Sequence, residues 1–144
     1  MSSTGLAIFD TTVEKTNVWL GELQATNGWK DRQQAYTALR AVLHALRDRL
    51  PPEEVAELAA QLPMLIRGFF YEGWQPAHKP EKYRHKGEFM SRVTHEAPWL
   101  RGRDLELAVT SVFAMLSSRL GREAEQARRL LPAELRELWP HPGM

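Results

Sequence analysis

The first place where residue types and spacing suggest chemistry is a basic stretch, His78, Lys79, Lys82, Arg84 and Lys86, with Tyr83 among the charges. Lysines and arginines grip phosphates while an aromatic ring stacks on a base, which is how single-stranded nucleic acid is commonly held. The plainer reading is a solvated linker whose lysines keep a connection soluble. Glu81 and Glu88 dilute the patch and no known nucleic-acid motif surrounds it. Modules of that kind show a broader basic face. The linker reading is favoured, and nucleic acid stands as the alternative partner, with Arg101, Arg103, Arg128 and Arg129 as further contacts.

A metal would look to His78, His85, His95 and Glu88. Helical zinc and iron sites place their ligands in tight pairs, His-x-x-x-His or Glu-x-x-His, and neither occurs. Glu88 and His95 lie about two turns apart, on one face but too far apart for one ion. With no cysteine, thiolate ligands, disulfides and cysteine nucleophiles are excluded. His44, between Arg40 and Arg47, falls off the apolar stripe of its helix and is expected at the surface. Ser117-Ser118 has no histidine nearby in sequence, Glu53-Glu54 reads as an ordinary first-turn match to a helix dipole, and no glycine-rich phosphate loop occurs. The expectation is no metal, no cofactor and no enzyme.

The aromatic run Phe69, Phe70, Tyr71 and Trp74 leads into the basic stretch. Phe69 is expected in the core, corresponding to Leu138. Tyr71 and Trp74 have no apolar counterpart in the second half, so they are the candidates for an exposed binding surface, joined by Lys82, Tyr83 and Arg84. Trp19, Trp29 and Trp99 read instead as packing residues.

Helices must position all of these. Thr11-x-x-Glu14 reads as a capping box for a first helix with Val13, Trp19, Leu20 and Leu23 on its apolar side, ended by Asn27-Gly28. Asp31-x-x-Gln34 opens a second helix, whose stripe Ala35, Ala38, Leu39, Val42, Leu43, Leu46, Leu50 keeps a 3.6-residue period until Pro51-Pro52. Val55, Leu58, Ala59 and Leu62 define a third, and Pro63 starts a fourth that runs to about Tyr71. The fourth is apolar nearly all round, so it needs cover from elsewhere in the chain or from a second chain. Further helices are expected over 88–95, 103–120, 122–131 and 132–139, with Gly121 as a C-cap. No period-two alternation marks a strand, so the class is all-α.

The plan repeats at a spacing of about 70 residues. Trp29, Ala38, Val42, Leu46 and Arg49 recur as Trp99, Ala108, Val112, Leu116 and Arg119. Glu54, Leu62, Pro63 and Arg67 recur as Glu123, Leu131, Pro132 and Arg136. The expected architecture is one eight-helix domain over 1–144, built from two four-helix repeats (9–74 and 88–140) with approximate twofold symmetry and a linker over 75–87. Length and the 43% apolar content suit one such domain. The net charge of +1 is too small for a general nucleic-acid binder. No basic start with an apolar run marks a secretory leader in Met1–Asp10, and no apolar stretch is long enough for a bilayer span. A cytoplasmic home is the simplest.

Gln61-Leu62-Pro63…Arg67, Leu130-Leu131-Pro132-Ala-Glu-Leu-Arg136 and Tyr71-Glu-Gly-Trp74-Gln-Pro76…Pro80-x-Lys82-x-Arg84…Glu88-Phe89 resemble the bacterial family called domain of unknown function 2267. The resemblance covers about Val13 to Trp139. It implies a duplicated all-helical fold and no established activity. The chain departs from the plan of its own first half at Arg103-Asp104, which lack the acidic cap that Asp31 supplies. The leading expectation is a non-enzymatic protein-interaction module, a homo-oligomer or a binder of a protein partner, acting through the fourth helix and the segment from Tyr71 to Lys86.

Overall fold

A computed structural model describes residues 3–140; the ends of the expected 1–144 domain, and the start of the stretch read for a leader, lie outside them. Among the described residues every regular element is a helix: α1 (Ala7–Asn27), α2 (Arg32–Asp48), α3 (Pro52–Ala60), α4 (Met64–Tyr71), α5 (Lys86–Glu96), α6 (Gly102–Leu120), α7 (Arg122–Arg129) and α8 (Ala133–Arg136). None is long and apolar enough to cross a membrane.

Local chemistry explains most of the ends. The α2 capping box forms as the sequence predicts: the Asp31 carboxylate accepts from the Gln34 amide at 3.0 Å while the Gln34 side chain accepts from the Asp31 amide. Gly28 caps α1 with φ +69° in the left-handed region. Gly121 has φ +50° with ψ −107°, and that turn passes the chain straight from α6 into α7. The expected box at Thr11 and Glu14 is corrected. Helix α1 begins at Ala7, a turn earlier, where Asp10 accepts from the Thr4 amide at 3.1 Å and the Thr4 hydroxyl at 2.8 Å. Thr12 is buried instead, its hydroxyl accepting from the Leu65 amide at 2.9 Å and so tying α1 to α4.

Helix α2 runs through the middle, packed against α1, α4, α5 and α6. Leu39, Val42 and Leu46 of α2 and Val109, Val112 and Leu116 of α6 are fully buried, as their stripes require. One hydrophobic cluster takes residues from every helix. Phe69 and Leu138 are both inside it. Trp99 departs from expectation: it is 41% exposed and meets Trp29 edge to face, ring centroids 5.6 Å apart.

Candidate functional site

The segment between α4 and α5 is largely exposed, yet it is tied to the helices at several points. Helix α4 ends with carbonyls that have no partner within the helix, and α2 supplies the donors. His44 Nε2 donates to the Phe69 carbonyl at 2.6 Å, and Arg47 Nη1 donates to the Phe70 and Glu72 carbonyls at 2.9 and 2.8 Å. The Arg47 charge at a helix C-terminus also matches its dipole. His44 is thus 4% exposed, not at the surface as its place off the α2 stripe suggests. Its Nδ1 lies 2.8 Å from Glu96, so both ring nitrogens are engaged. Burial pushes the Glu96 carboxyl up, but His44, Arg40 and Arg47 outweigh it and hold it below the usual carboxylate range.

Downstream, the Glu81 amide donates to the Asp48 carbonyl at 2.9 Å, Glu81 pairs with Arg92 of α5, and Arg49 donates to the Tyr83 carbonyl at 2.8 Å. Tyr83 is 8% exposed, with the Arg92 guanidinium 4.3 Å and the Arg49 guanidinium 5.6 Å from its ring centre. Burial raises the phenol far above its ordinary range. This corrects the sequence reading twice. Tyr83 is a clamp under the segment and offers no face to a base, because its two arginine neighbours already cover it. Tyr71 and Trp74 also turn inward: both are half-buried against the core, 5.5 Å apart, and the Trp74 indole nitrogen is closed off from solvent. Of the five candidates, only Lys82 and Arg84 are exposed.

The α2–α5 seam also carries a polar pocket of about 340 Å³ lined by His44, Asp48, Glu81, Arg92, His95 and Glu96. Of its two histidines, His44 has no ring nitrogen left to take a proton, while His95 lies exposed at the rim. A cationic groove holds Arg49, Arg84 and Arg136, but His85 there is paired with Glu134 at 2.8 Å. Arg128 and Arg129, named with the basic patch, are tied to Glu125. His78, His85 and His95, weighed and set aside as metal ligands, do not come together with Glu88 in any group of three ligands among the described residues.

Sequence reasoning singled out the fourth helix but not the α1 side that faces it. Ile66, Phe69 and Phe70 of α4 point into the core, while Met64 and Leu65 are 41% and 45% exposed. On α1, Phe9 and Val13 are exposed too, and Ile8 stands with Met64 at a smaller neighbouring pocket. Between the helices runs a groove of about 770 Å³ lined by Phe9, Val13, Leu20, Met64, Leu65 and Phe69, kept open where Gly68 has no side chain and nothing stands within 4 Å of where one would begin. The all-round apolar character of α4 was the available signal.

A family model described as an uncharacterized conserved protein, DUF2267, matches residues 16–138. No curated protein matches the chain.

Proposed function

The chain belongs to the DUF2267 family, and on that premise we propose that it is a non-enzymatic interaction module that pairs with a second copy of itself through the α1–α4 face. The observation that carries this reading is the concentration of exposed large apolar side chains around one groove. Contiguous patches of this kind are costly on a monomer and mark contact surfaces. The same face holds both halves of a joint. Exposed Phe9 and Val13 of α1 and Met64 and Leu65 of α4 line the groove, which has room for such side chains from a second copy. A twofold contact is self-complementary, so each copy's α1 turn enters the other's groove. A net charge of +1 imposes little repulsion between copies. The non-enzymatic reading is supported by the full engagement of His44, and a cytoplasmic site of action by a chain with no cysteine.

The duplicated architecture belongs to the same proposal. Two contacts recur at matched positions: Arg67 donates to the Leu62 carbonyl at 3.0 Å as Arg136 does to Leu131 at 2.6 Å, and Trp29 touches Trp99. Helix α1 leans on α6 as α5 leans on α2. The two halves differ most where Met64 and Leu65 stand against Ala133 and Glu134, and that difference creates the apolar face.

Sedimentation across micromolar to sub-millimolar concentration tests the reading. The native chain is expected to move from monomer to dimer, and Leu65→Ser combined with Phe9→Ser to remain monomeric with an unchanged helical spectrum. A native chain that stays monomeric throughout refutes self-association and leaves the groove to a different protein. Salt-dependent retention on single-stranded nucleic acid, abolished by Lys82→Ala with Arg84→Ala, would replace the proposal with the nucleic-acid alternative.

A further inference from the structure

Helix α3 packs against α7, and at that seam three carboxylates converge. Glu54 and Glu57 stand one turn apart on α3, and Glu123 comes from the first turn of α7. One oxygen from each lies within 4.8 Å of the others. Among the described residues none of the three has a basic partner, although like charges this close repel. Exposed acidic clusters are commonplace, but Glu54 is different. It is 4% exposed, and its Oε2 is closed off from solvent with no hydrogen-bond partner of any kind. A buried, unpartnered carboxylate oxygen is among the costliest things a fold can retain, and this one belongs to a group aimed at the seam.

We propose that Glu54, Glu57 and Glu123 form a binding site for a hard divalent cation. Three carboxylate oxygens and no nitrogen or sulfur make a donor set for calcium, magnesium or manganese, where zinc would look for imidazole or thiolate. Calcium takes its oxygens at about 2.3–2.6 Å, so two ligands of one ion stand at most roughly 5.2 Å apart, and the observed spacing needs little adjustment. Glu54 supplies the buried anchor, Glu123 the half-buried second ligand, and exposed Glu57 leaves the outer positions to water. The ion supplies the partner that Glu54 lacks and joins α3 to α7, a helix whose own buried residues are the small Ala124 and Ala127. The site shares no residue with the α1–α4 groove and stands whether or not the chain dimerises.

The full chain, stripped with chelator, is titrated with manganese and followed by the paramagnetic resonance signal of the free ion, with calcium and magnesium followed by melting. One site per chain is expected, with a dissociation constant of about 0.1–1 mM, the range of simple extracellular calcium modules. At about 10 mM calcium the melting temperature is expected to rise by roughly 3–6 °C for a chain of this size. Glu123→Gln and Glu54→Gln, each isosteric and each compared with its own metal-free melt, are expected to lose both signals. Absence of saturable manganese binding overturns the site. So does a shift of equal size in both glutamine variants, which would mark nonspecific salt stabilisation. A variant that fails to fold is replaced by Glu57→Gln, which changes only an exposed ligand and is expected to weaken binding about tenfold.

Discussion

Replacing Arg47 by methionine tests the seam between α2 and the end of α4. The guanidinium side chain is 5% exposed and does three jobs: it pairs with Asp48 at 2.8 Å and donates to the carbonyls of Phe70 and Glu72. Those carbonyls close α4 and start the segment that follows, and only a side chain from outside the helix reaches them. Two hydrogen bonds from a charged donor contribute roughly 1.5–3 kcal/mol each, and methionine recovers about 1 kcal/mol by packing along the same path. The expected loss is therefore about 2–5 kcal/mol, overlapping the cost of removing one partner of a buried charged pair. Urea unfolding of the variant measures it directly, and for this chain length the melting temperature falls by roughly 4–20 °C. Arg47→Lys is expected to recover only part, since one ammonium cannot hold Asp48 and two carbonyls in the fork that arginine presents. Amide exchange adds a local readout: the Glu81 amide, bonded to Asp48, is expected to exchange faster in the methionine variant. A loss below about 1 kcal/mol with unchanged exchange would refute the argument that α2 closes α4.

Leu46→Ala, at a fully buried position in the middle of α2, is expected to cost about 2–5 kcal/mol, and a loss under half a kilocalorie would place that stripe outside the core. Tyr71→Ser with Trp74→Ser is expected to lose about 2–4 kcal/mol, because both rings are half-buried against the core; a nearly neutral result with weakened association would restore them as a binding surface. Glu96 adds a pH signature. Its folded carboxyl lies below the usual range, so its stabilisation is present above the unfolded value of about 4.5 and is lost as pH falls through the folded one. Glu96→Gln is thus expected to be less stable than the native chain at pH 7 and to converge with it in acid; a stability gap independent of pH would show that His44, Arg40 and Arg47 do not act through that charge.

Periodicity and punctuation within one segment determine much of this protein. The α2 and α6 stripes, the Asp31 capping box, the Gly28 cap and the proline boundaries are local, because a helix selects its buried face and its ends from residues three and four apart. The paired positions Glu54 and Glu123 were likewise visible as a repeat, although nothing in the sequence says that α3 and α7 bring them together. Only the tertiary structure decides what lies off the stripe. His44 and Arg47 look solvent-facing by period and are buried because they donate to carbonyls at the end of another helix. Tyr83 looks like an exposed ring in a charged arm, and Arg49 at the end of α2 and Arg92 of α5 enclose it. Met64 and Leu65 remain exposed because α1 covers only one side of α4. A buried polar group is stable only where a partner meets it, and an apolar face stays open only where none does. Both conditions are set by segments far apart in the chain, so they follow from how the helices pack and not from the order of residues within any one of them.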